Sequence, residues 1–102
     1  MQIGELWLVN YPYEDSDDKK YRPALVILGE DESGNLKCAK ITGSIWRKTE
    51  DDFIIIDWQQ ANLTKESLAE LKRVELIHKS EFRKRIGELS TDDLITLYSK
   101  IV

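Results

Sequence analysis

The chain carries the run Tyr-Arg-Pro-Ala-Leu-Val-Ile-Leu at residues 21–28, and its architecture can be predicted outward from there. The run ends in five consecutive apolar residues, too few for a typical helix, and Val26 and Ile27 among them are β-branched. This pattern predicts a buried central strand. Because Pro23 has no amide hydrogen to donate, we expect it at the first position of that strand, with Arg22 in extended geometry at the strand edge.

Further strand-like segments lie on both sides of this run. Upstream, residues 4–9 (Gly-Glu-Leu-Trp-Leu-Val) are rich in apolar and aromatic side chains. Downstream, residues 36–42 form a strand-like segment of mixed apolar and polar residues, and the polar stretch 29–35 between them predicts an antiparallel hairpin. A short apolar strand is predicted at residues 53–56, after a loop over 45–52.

The segment 67–86 is harder to assign from its pattern. Within residues 67–77, apolar side chains recur at helical spacing in the first half, which predicts a helix there, whereas the second half resembles a strand. Ser80 is a suitable N-cap for a short helix over residues 81–86 that ends at Gly87.

The C-terminal segment has the clearest periodicity in the chain. Ser90 followed by Asp93 forms a start similar to a capping box. Apolar side chains then recur at spacings of three, four and seven residues, which predicts an amphipathic helix packed on a sheet. These side chains are Leu94, Leu97, Tyr98 and Ile101. The predicted fold class is mainly β, an α+β chain built as a small barrel or curled sheet.

Length and composition restrict the class of protein. At 102 residues the chain has the length of one domain, which we place at residues 1–102. Its single cysteine, Cys38, excludes an internal disulfide and is expected to be a core or half-buried thiol rather than a nucleophile. The net charge of −4 argues against non-specific coating of nucleic acid, although residues 83–85 are basic. No apolar run approaches the roughly 20 residues that span a bilayer. We therefore expect a cytoplasmic protein without a membrane segment.

Residue chemistry offers one pair of side chains as a candidate site. Cys38 and His78 are far apart in the sequence and no ligand spacing accompanies them, so neither a metal nor another cofactor is expected. Arg22 offers a permanently charged fork of donors that suits phosphate oxygens, and Thr42 offers a hydroxyl one strand away. From the residues alone, however, a solvated cation at a strand end remains the preferred interpretation of Arg22, and Thr42 could be an ordinary strand residue.

The ordered set of motifs resembles the MazF/PemK (Kid) toxin family. Residues 4–9, 21–27 and 39–44 are similar to three successive signatures of that family. The similarity covers nearly the whole chain, because it continues through further short segments in the expected order. These segments are Ile56-Asp57-Trp58, Ser67, Lys79-Ser80 and Arg85-Ile86-Gly87-Glu88-Leu89-Ser90.

The resemblance implies a small SH3-like barrel with short helices, acting as a homodimer. It also implies a ribosome-independent endoribonuclease that cuts single-stranded RNA without a metal, by attack of the RNA's own 2′-hydroxyl, and that is neutralised by a cognate antitoxin protein. In family terms, Arg22 would stabilise the phosphorane and assist proton transfer, and Thr42 would bind the scissile phosphate. Other residues expected to bind RNA are Lys20, Tyr21, Lys40, Ser44, Trp46 and Arg73.

The sequence departs from the family pattern at one position. Family members commonly carry an arginine three residues after the serine that Ser67 matches, and this chain has Glu70 there. The predicted loop 14–20 is also acidic in its first part. These two features favour an alternative in which the same barrel serves a non-catalytic protein, such as a gyrase-poisoning toxin of the CcdB type or a degenerate binding module. The sequence does not identify a general base.

Overall fold

The computed structural model describes residues 1–11 and 20–101, which form a curled antiparallel sheet with one α-helix. The strands are β1 (Glu5–Tyr11), β2 (Lys20–Leu28), β3 (Asn35–Thr42), β4 (Phe53–Ile55), β5 (Ser67–His78) and β6 (Phe82–Glu88), and the helix is α1 (Thr91–Ile101). The six strands are ordered β4-β5-β3-β2-β1-β6. Within the described ranges the edge strands β4 and β6 do not pair, so the barrel stays open. The predicted mainly-β class with a C-terminal helix is confirmed.

Strand β2 lies in the interior of the sheet, between β1 and β3, as its apolar run predicts. Pro23, however, is not the first residue of the strand, because pairing with β1 already begins at Lys20. The ladder to β3 starts only at Ala24, opposite Lys40, which leaves the missing amide hydrogen of Pro23 outside that ladder. Arg22 is thereby fixed opposite Val9 of β1.

The predicted hairpin between β2 and β3 is present. Oδ1 of Asp31 accepts the amide hydrogens of Ser33 at 2.8 Å and Asn35 at 2.9 Å, a side-chain turn typical of aspartate. Gly34 takes a φ of +81°, which L side chains rarely adopt. Local turn chemistry therefore sets the register of these two strands.

The sheet packs apolar residues on both of its faces. A first cluster joins the sheet to helix α1 and includes Leu25, Ala39 and Leu97. A second cluster on the other face includes Val9 and Cys38. Cys38 is fully buried, one of its two expected placements, and burial raises the pKa of its thiol to about 12.

The predicted helix in the first half of residues 67–77 is wrong, because this segment belongs to strand β5. The pairing with β3 jumps from Ala39–Val74 to Lys40–Glu70, so β5 carries three extra residues at 71–73. This bulge resets the alternation of side chains and lets both Leu71 and Val74 pack against the first cluster. The apolar residues that recur every third position here, a spacing that favours a helix, thus belong to an irregular strand.

The predicted helix over residues 81–86 is also wrong. A single 3-10 turn occupies Lys79–Glu81, and its N-cap is His78, whose Nδ1 accepts the amide hydrogen of Ser80 at 3.2 Å. The following residues form β6, which pairs with β1 and places Phe82 against the second cluster. Pairing along the edge of the sheet therefore overrides the capping preference of Ser80.

Helix α1 begins as its sequence predicts. Oγ of Ser90 accepts the amide hydrogen of Asp93 at 3.2 Å. The Asp93 carboxylate accepts the amide hydrogens of Ile56 at 3.1 Å and Asp57 at 2.8 Å, from the segment that follows β4. The capping residues thus also attach the helix to the sheet. No helix within the described ranges is long and apolar enough to cross a membrane.

Asp52 is a buried carboxylate that makes the stability of the fold depend on pH. Burial alone raises the pKa of Asp52, but hydrogen bonds from the Thr49 amide and hydroxyl, both at 2.9 Å, and from the Lys72 amide outweigh burial. The net result is a pKa below the usual value. A carboxylate with a depressed folded-state pKa stabilises the fold above its unfolded pKa of about 3.9, and this contribution is lost as the pH falls through the folded value.

We therefore expect Asp52→Asn to destabilise the protein in urea unfolding at pH 7, with a difference from the unmodified protein that shrinks below about pH 4. Asp51→Asn is the matched control, because the neighbouring Asp51 is exposed. A destabilisation by Asp52→Asn that stays constant from pH 7 to pH 3 would contradict the assigned role of the charge.

Candidate groove on the open end of the sheet

A groove of about 530 Å³ opens where β2 begins and β3 ends, beside the segments that flank β4. Its cationic side chains are Arg22, Lys40 and Lys65. Its hydroxyl groups are those of Thr42, Ser44, Thr64 and Ser67, and Trp46 provides an aromatic side chain. Cations, hydroxyl donors and an aromatic ring in one groove suit a ligand that combines phosphates with flat heterocycles.

Strand register brings Arg22 and Thr42 to the same face. Ala24 of β2 lies directly opposite Lys40 of β3. Arg22 lies two residues before Ala24 and Thr42 two residues after Lys40, on the same side of this pair because the strands are antiparallel, and side chains two residues apart on a strand share a face. The outer neighbours fix both positions, since Arg22 pairs with Val9 and Thr42 with Leu68. The guanidinium and the hydroxyl therefore belong to adjacent strands of one surface.

The hydroxyl of Thr42 is oriented by the backbone that follows it. Its Oγ1 accepts the amide hydrogen of Ser44 at 3.1 Å, and a hydroxyl that accepts in this way keeps one hydrogen that it can donate. The chain then makes a 3-10 turn over Ile45–Arg47. This turn carries Trp46 at the groove with its side chain 83% exposed, which is unusual for so large an aromatic residue.

Five charged side chains lie close enough to influence one another at this end of the sheet. Partial burial lowers the pKa of Lys40, the guanidinium groups of Arg47, Arg73 and Arg22 lower it further, and the Glu70 carboxylate acts in the opposite direction. Among these five described side chains the cations outnumber the carboxylate, so their summed charge is positive although the chain as a whole is acidic. An anionic ligand is therefore favoured here.

Glu70 does not line the groove. It lies opposite Lys40 in the β3–β5 ladder, and its side chain is fully buried. Its carboxylate contacts Nε of Arg73 at 3.3 Å and Nε of Arg47 at 3.7 Å. The acid that departs from the family pattern is thus neutralised by two arginines and is shielded from a ligand in the groove.

Most of the residues predicted as site residues meet in this groove, namely Arg22, Thr42, Lys40, Ser44 and Trp46. Tyr21 is not among the lining residues; its ring lies 5.3 Å from the guanidinium carbon of Arg83. Arg73 is not among the lining residues either, and its guanidinium contacts Glu70. The side chain of Lys20 and the predicted loop 14–20, apart from the backbone of Lys20, lie outside the described residues.

Two cations near the groove were not predicted from the sequence. Lys65 reaches the groove because its side chain lies against Gly43, where there is no side chain to displace it. Arg47 enters the charge cluster through Glu70. The contact between Gly43 and Lys65 joins segments that are far apart in the sequence, so no local pattern predicts it. For Arg47, its position directly after a tryptophan in a polar loop was an available signal. Across the described part of the chain, no three His, Cys, Asp or Glu side chains gather into a group that could hold a metal ion.

The sequence matches the family described as PemK-like, MazF-like toxin of type II toxin-antitoxin system over residues 2–102. No curated protein matches the chain.

Solved structures show the same fold at low sequence identity. The toxin MazF-mt6 of Mycobacterium tuberculosis superposes with a TM-score of 0.74 at 18% identity, covering 95% of this chain and 91% of that one. An endoribonuclease from a mycobacterial species, solved in complex with its cognate antitoxin, gives 0.72 at 11% identity, covering 99% and 90%. MazF from Deinococcus radiodurans gives 0.71 at 17% identity, covering 99% and 92%.

Proposed function

Because the chain belongs to the PemK/MazF family of toxins from type II toxin-antitoxin systems, we propose that it is an endoribonuclease that cleaves single-stranded RNA in the groove described above. One observation carries this proposal: Arg22 and Thr42 lie on the same face of adjacent strands and line a groove rich in cations. The family match supports a toxin, and the chemistry of the groove supports a phosphodiester as its substrate.

The proposed reaction uses a nucleophile that RNA itself carries. The 2′-oxygen attacks the adjacent phosphorus and forms a new O–P bond, while the bond from phosphorus to the 5′-oxygen of the next nucleotide breaks. The 2′-hydroxyl loses its proton and the departing 5′-oxygen gains one. The products are a 2′,3′-cyclic phosphate and a free 5′-hydroxyl, and DNA is not a substrate because it lacks the 2′-hydroxyl.

The catalytic roles follow from which groups can stabilise charge. Negative charge accumulates on the non-bridging oxygens of the phosphorane, and the planar guanidinium of Arg22 can donate two parallel hydrogen bonds to them. The Thr42 hydroxyl, oriented by the Ser44 amide, donates to the same phosphate and holds it against Arg22. Arg22 thus lowers the energy of the transition state, and Thr42 fixes the geometry of attack.

The other groove residues are assigned to RNA binding. Lys40 and Lys65 attract neighbouring phosphates, and Trp46 offers an exposed ring on which an unpaired base stacks. Stacking requires a base that is free of a duplex, which favours single-stranded RNA.

The family membership also leads us to propose an antitoxin partner and a homodimer in the cytoplasm. Exposed apolar side chains on α1 support a protein contact, since Ile95 is 60% exposed and Tyr98 and Ile101 are also exposed. The similar mycobacterial endoribonuclease solved with its cognate antitoxin supports the same expectation.

The proposal is tested with the purified protein and a mixture of single-stranded RNA oligonucleotides in the presence of EDTA. We expect discrete cuts whose products carry 2′,3′-cyclic phosphate and 5′-hydroxyl ends. In cells, primer extension after brief induction should show the same cuts. Intact RNA together with gyrase-dependent DNA breaks would support the gyrase-poisoning alternative instead, and intact RNA without any growth effect would support a non-catalytic protein.

A further inference from the structure

Glu70 is an unusual residue to find inside a basic surface. Its side chain has no exposure to solvent, and within the described residues neither of its carboxylate oxygens accepts a hydrogen bond. Its contacts are the two ion pairs with Arg47 and Arg73. Burying a carboxylate is costly, and apolar residues of similar volume often replace a buried ion pair without loss of stability. The ion pairs therefore call for an explanation other than stability.

The contact with Arg47 attaches an otherwise weakly held turn to the sheet. None of the residues of the turn Ile45–Arg47 is fully buried, and the half-buried Ile45 is not part of either apolar cluster. Its backbone hydrogen bonds are local, from Ile45 to Gly43 and from Arg47 to Ser44. The Arg47–Glu70 ion pair, by contrast, reaches from the turn to strand β5. Trp46 lies in the middle of this turn and lines the groove.

We propose that Glu70 is a positioning residue that holds Arg47, and through it the ring of Trp46, at the groove in the orientation that stacks an RNA base. The identity of the ligand rests on the proposed function, whereas the contacts between Glu70, Arg47 and the turn do not depend on it. Glu70 itself is buried and does not touch the RNA. The tie to Arg47 limits the motion of a ring that would otherwise be free in solvent, so less conformational entropy is lost when a base binds.

The sign of one mutational effect separates positioning from simple electrostatics. Glu70→Gln removes a negative charge from a site beside Lys40 and Arg22, which by charge alone would tighten the binding of a polyanion. If Glu70 positions the Trp46 turn, the same substitution weakens binding, because the neutral amide no longer holds the guanidinium of Arg47. The two explanations predict changes in opposite directions.

The binding test uses a fluorescently labelled 2′-O-methyl RNA oligonucleotide, which cannot be cleaved by 2′-hydroxyl attack, and measures the dissociation constant by anisotropy at fixed salt. We expect Glu70→Gln to weaken binding about fivefold or more, the range that corresponds to loss of one stacked base. Glu75→Gln is the matched control, because Glu75 is an exposed carboxylate on the same strand. Tighter or unchanged binding by Glu70→Gln would overturn the proposal.

A double-mutant cycle keeps the test valid if Glu70→Gln folds poorly. Arg47→Ala removes the partner of Glu70 outside the core, where Arg47 is half-buried. It should weaken binding more in the protein that retains Trp46 than in a Trp46→Ala protein, because only the former has a ring to position. Additive losses in this double-mutant cycle would contradict the assigned role.

A readout without RNA distinguishes failure of this inference from failure of the proposed function. In a variant that retains Trp46 as its sole tryptophan, with Trp7 and Trp58 replaced by phenylalanine, time-resolved anisotropy reports the motion of the Trp46 ring. We expect faster and wider motion after Glu70→Gln, and no change after Glu75→Gln. Unchanged motion would overturn the inference even if the protein cleaves RNA. Increased motion in a protein that does not cleave RNA would overturn only the proposed function.

Discussion

Arg22→Ala is expected to reduce RNA cleavage about 10³-fold or more, as judged by kcat/KM, and to abolish growth arrest on expression. The reason is that this guanidinium is the group assigned to the charge that develops on the phosphorane. Lys40 and Lys65 also line the groove, but an ammonium group is a point charge and does not reproduce two parallel hydrogen bonds. Arg22→Lys should therefore recover only a small part of the activity.

The fold should survive this substitution, because the Arg22 side chain is exposed and the strand is fixed by its neighbours on β1 and β3. The far-ultraviolet circular dichroism spectrum and the melting temperature check this point. Arg83→Ala is the matched control, since Arg83 is an exposed arginine that contacts Tyr21 rather than the groove. Full cleavage activity in a folded Arg22→Ala protein would refute the assignment of the site.

Asp93→Ala is expected to destabilise the fold by about 3 kcal/mol, because it leaves the amide groups of Ile56 and Asp57 without their acceptor. For a domain of this size, such a loss lowers the melting temperature by roughly 10 to 25 °C. Asp93 is only 2% exposed, so the substitution removes contacts that are made in the interior. Urea and thermal unfolding followed by circular dichroism measure the effect.

The neighbouring Asp92 provides the control for this experiment. It lies in the same first turn of α1 and is exposed, so Asp92→Ala removes a charge from the helix N-terminus without leaving a buried group unpaired. We expect Asp92→Ala to lower the free energy of unfolding by less than about 1 kcal/mol. Equal destabilisation by the two substitutions would mean that Asp93 acts through the helix dipole and not as the link between α1 and the end of β4.

Local sequence was sufficient to predict the central hairpin and the start of the C-terminal helix. The apolar run after Pro23, the polar stretch 29–35 and the pair Ser90–Asp93 each act through neighbouring residues, and the strand, the hairpin and the helix start that they predict are found. Strand β5 could not be predicted in this way, because a bulge at 71–73 gives it an apolar spacing that a helix also produces. Whether that spacing denotes a helix or a strand is decided by pairing with β3, which local pattern does not contain.

In the candidate site, too, some residues could be predicted from the sequence, whereas those that depend on long-range contacts could not. Arg22 and Thr42 were identified from residue chemistry and from the family resemblance, and strand register then accounts for their common face. Lys65 and Arg47 were missed because each depends on a contact across the fold, with Gly43 and Glu70 respectively. The burial of Glu70 could not be predicted from the sequence either, because an acidic residue in a polar segment is usually exposed to solvent.

The bulge in β5 also bears on how this chain tolerates changes in length. Deleting one residue from 71–73 would reverse the inward and outward alternation of one half of β5, exposing Ala69 or Ile77, which belong to different apolar clusters. The same deletion would draw Glu70 away from its partners. Among homologous sequences, insertions and deletions should therefore be selected against in the bulge.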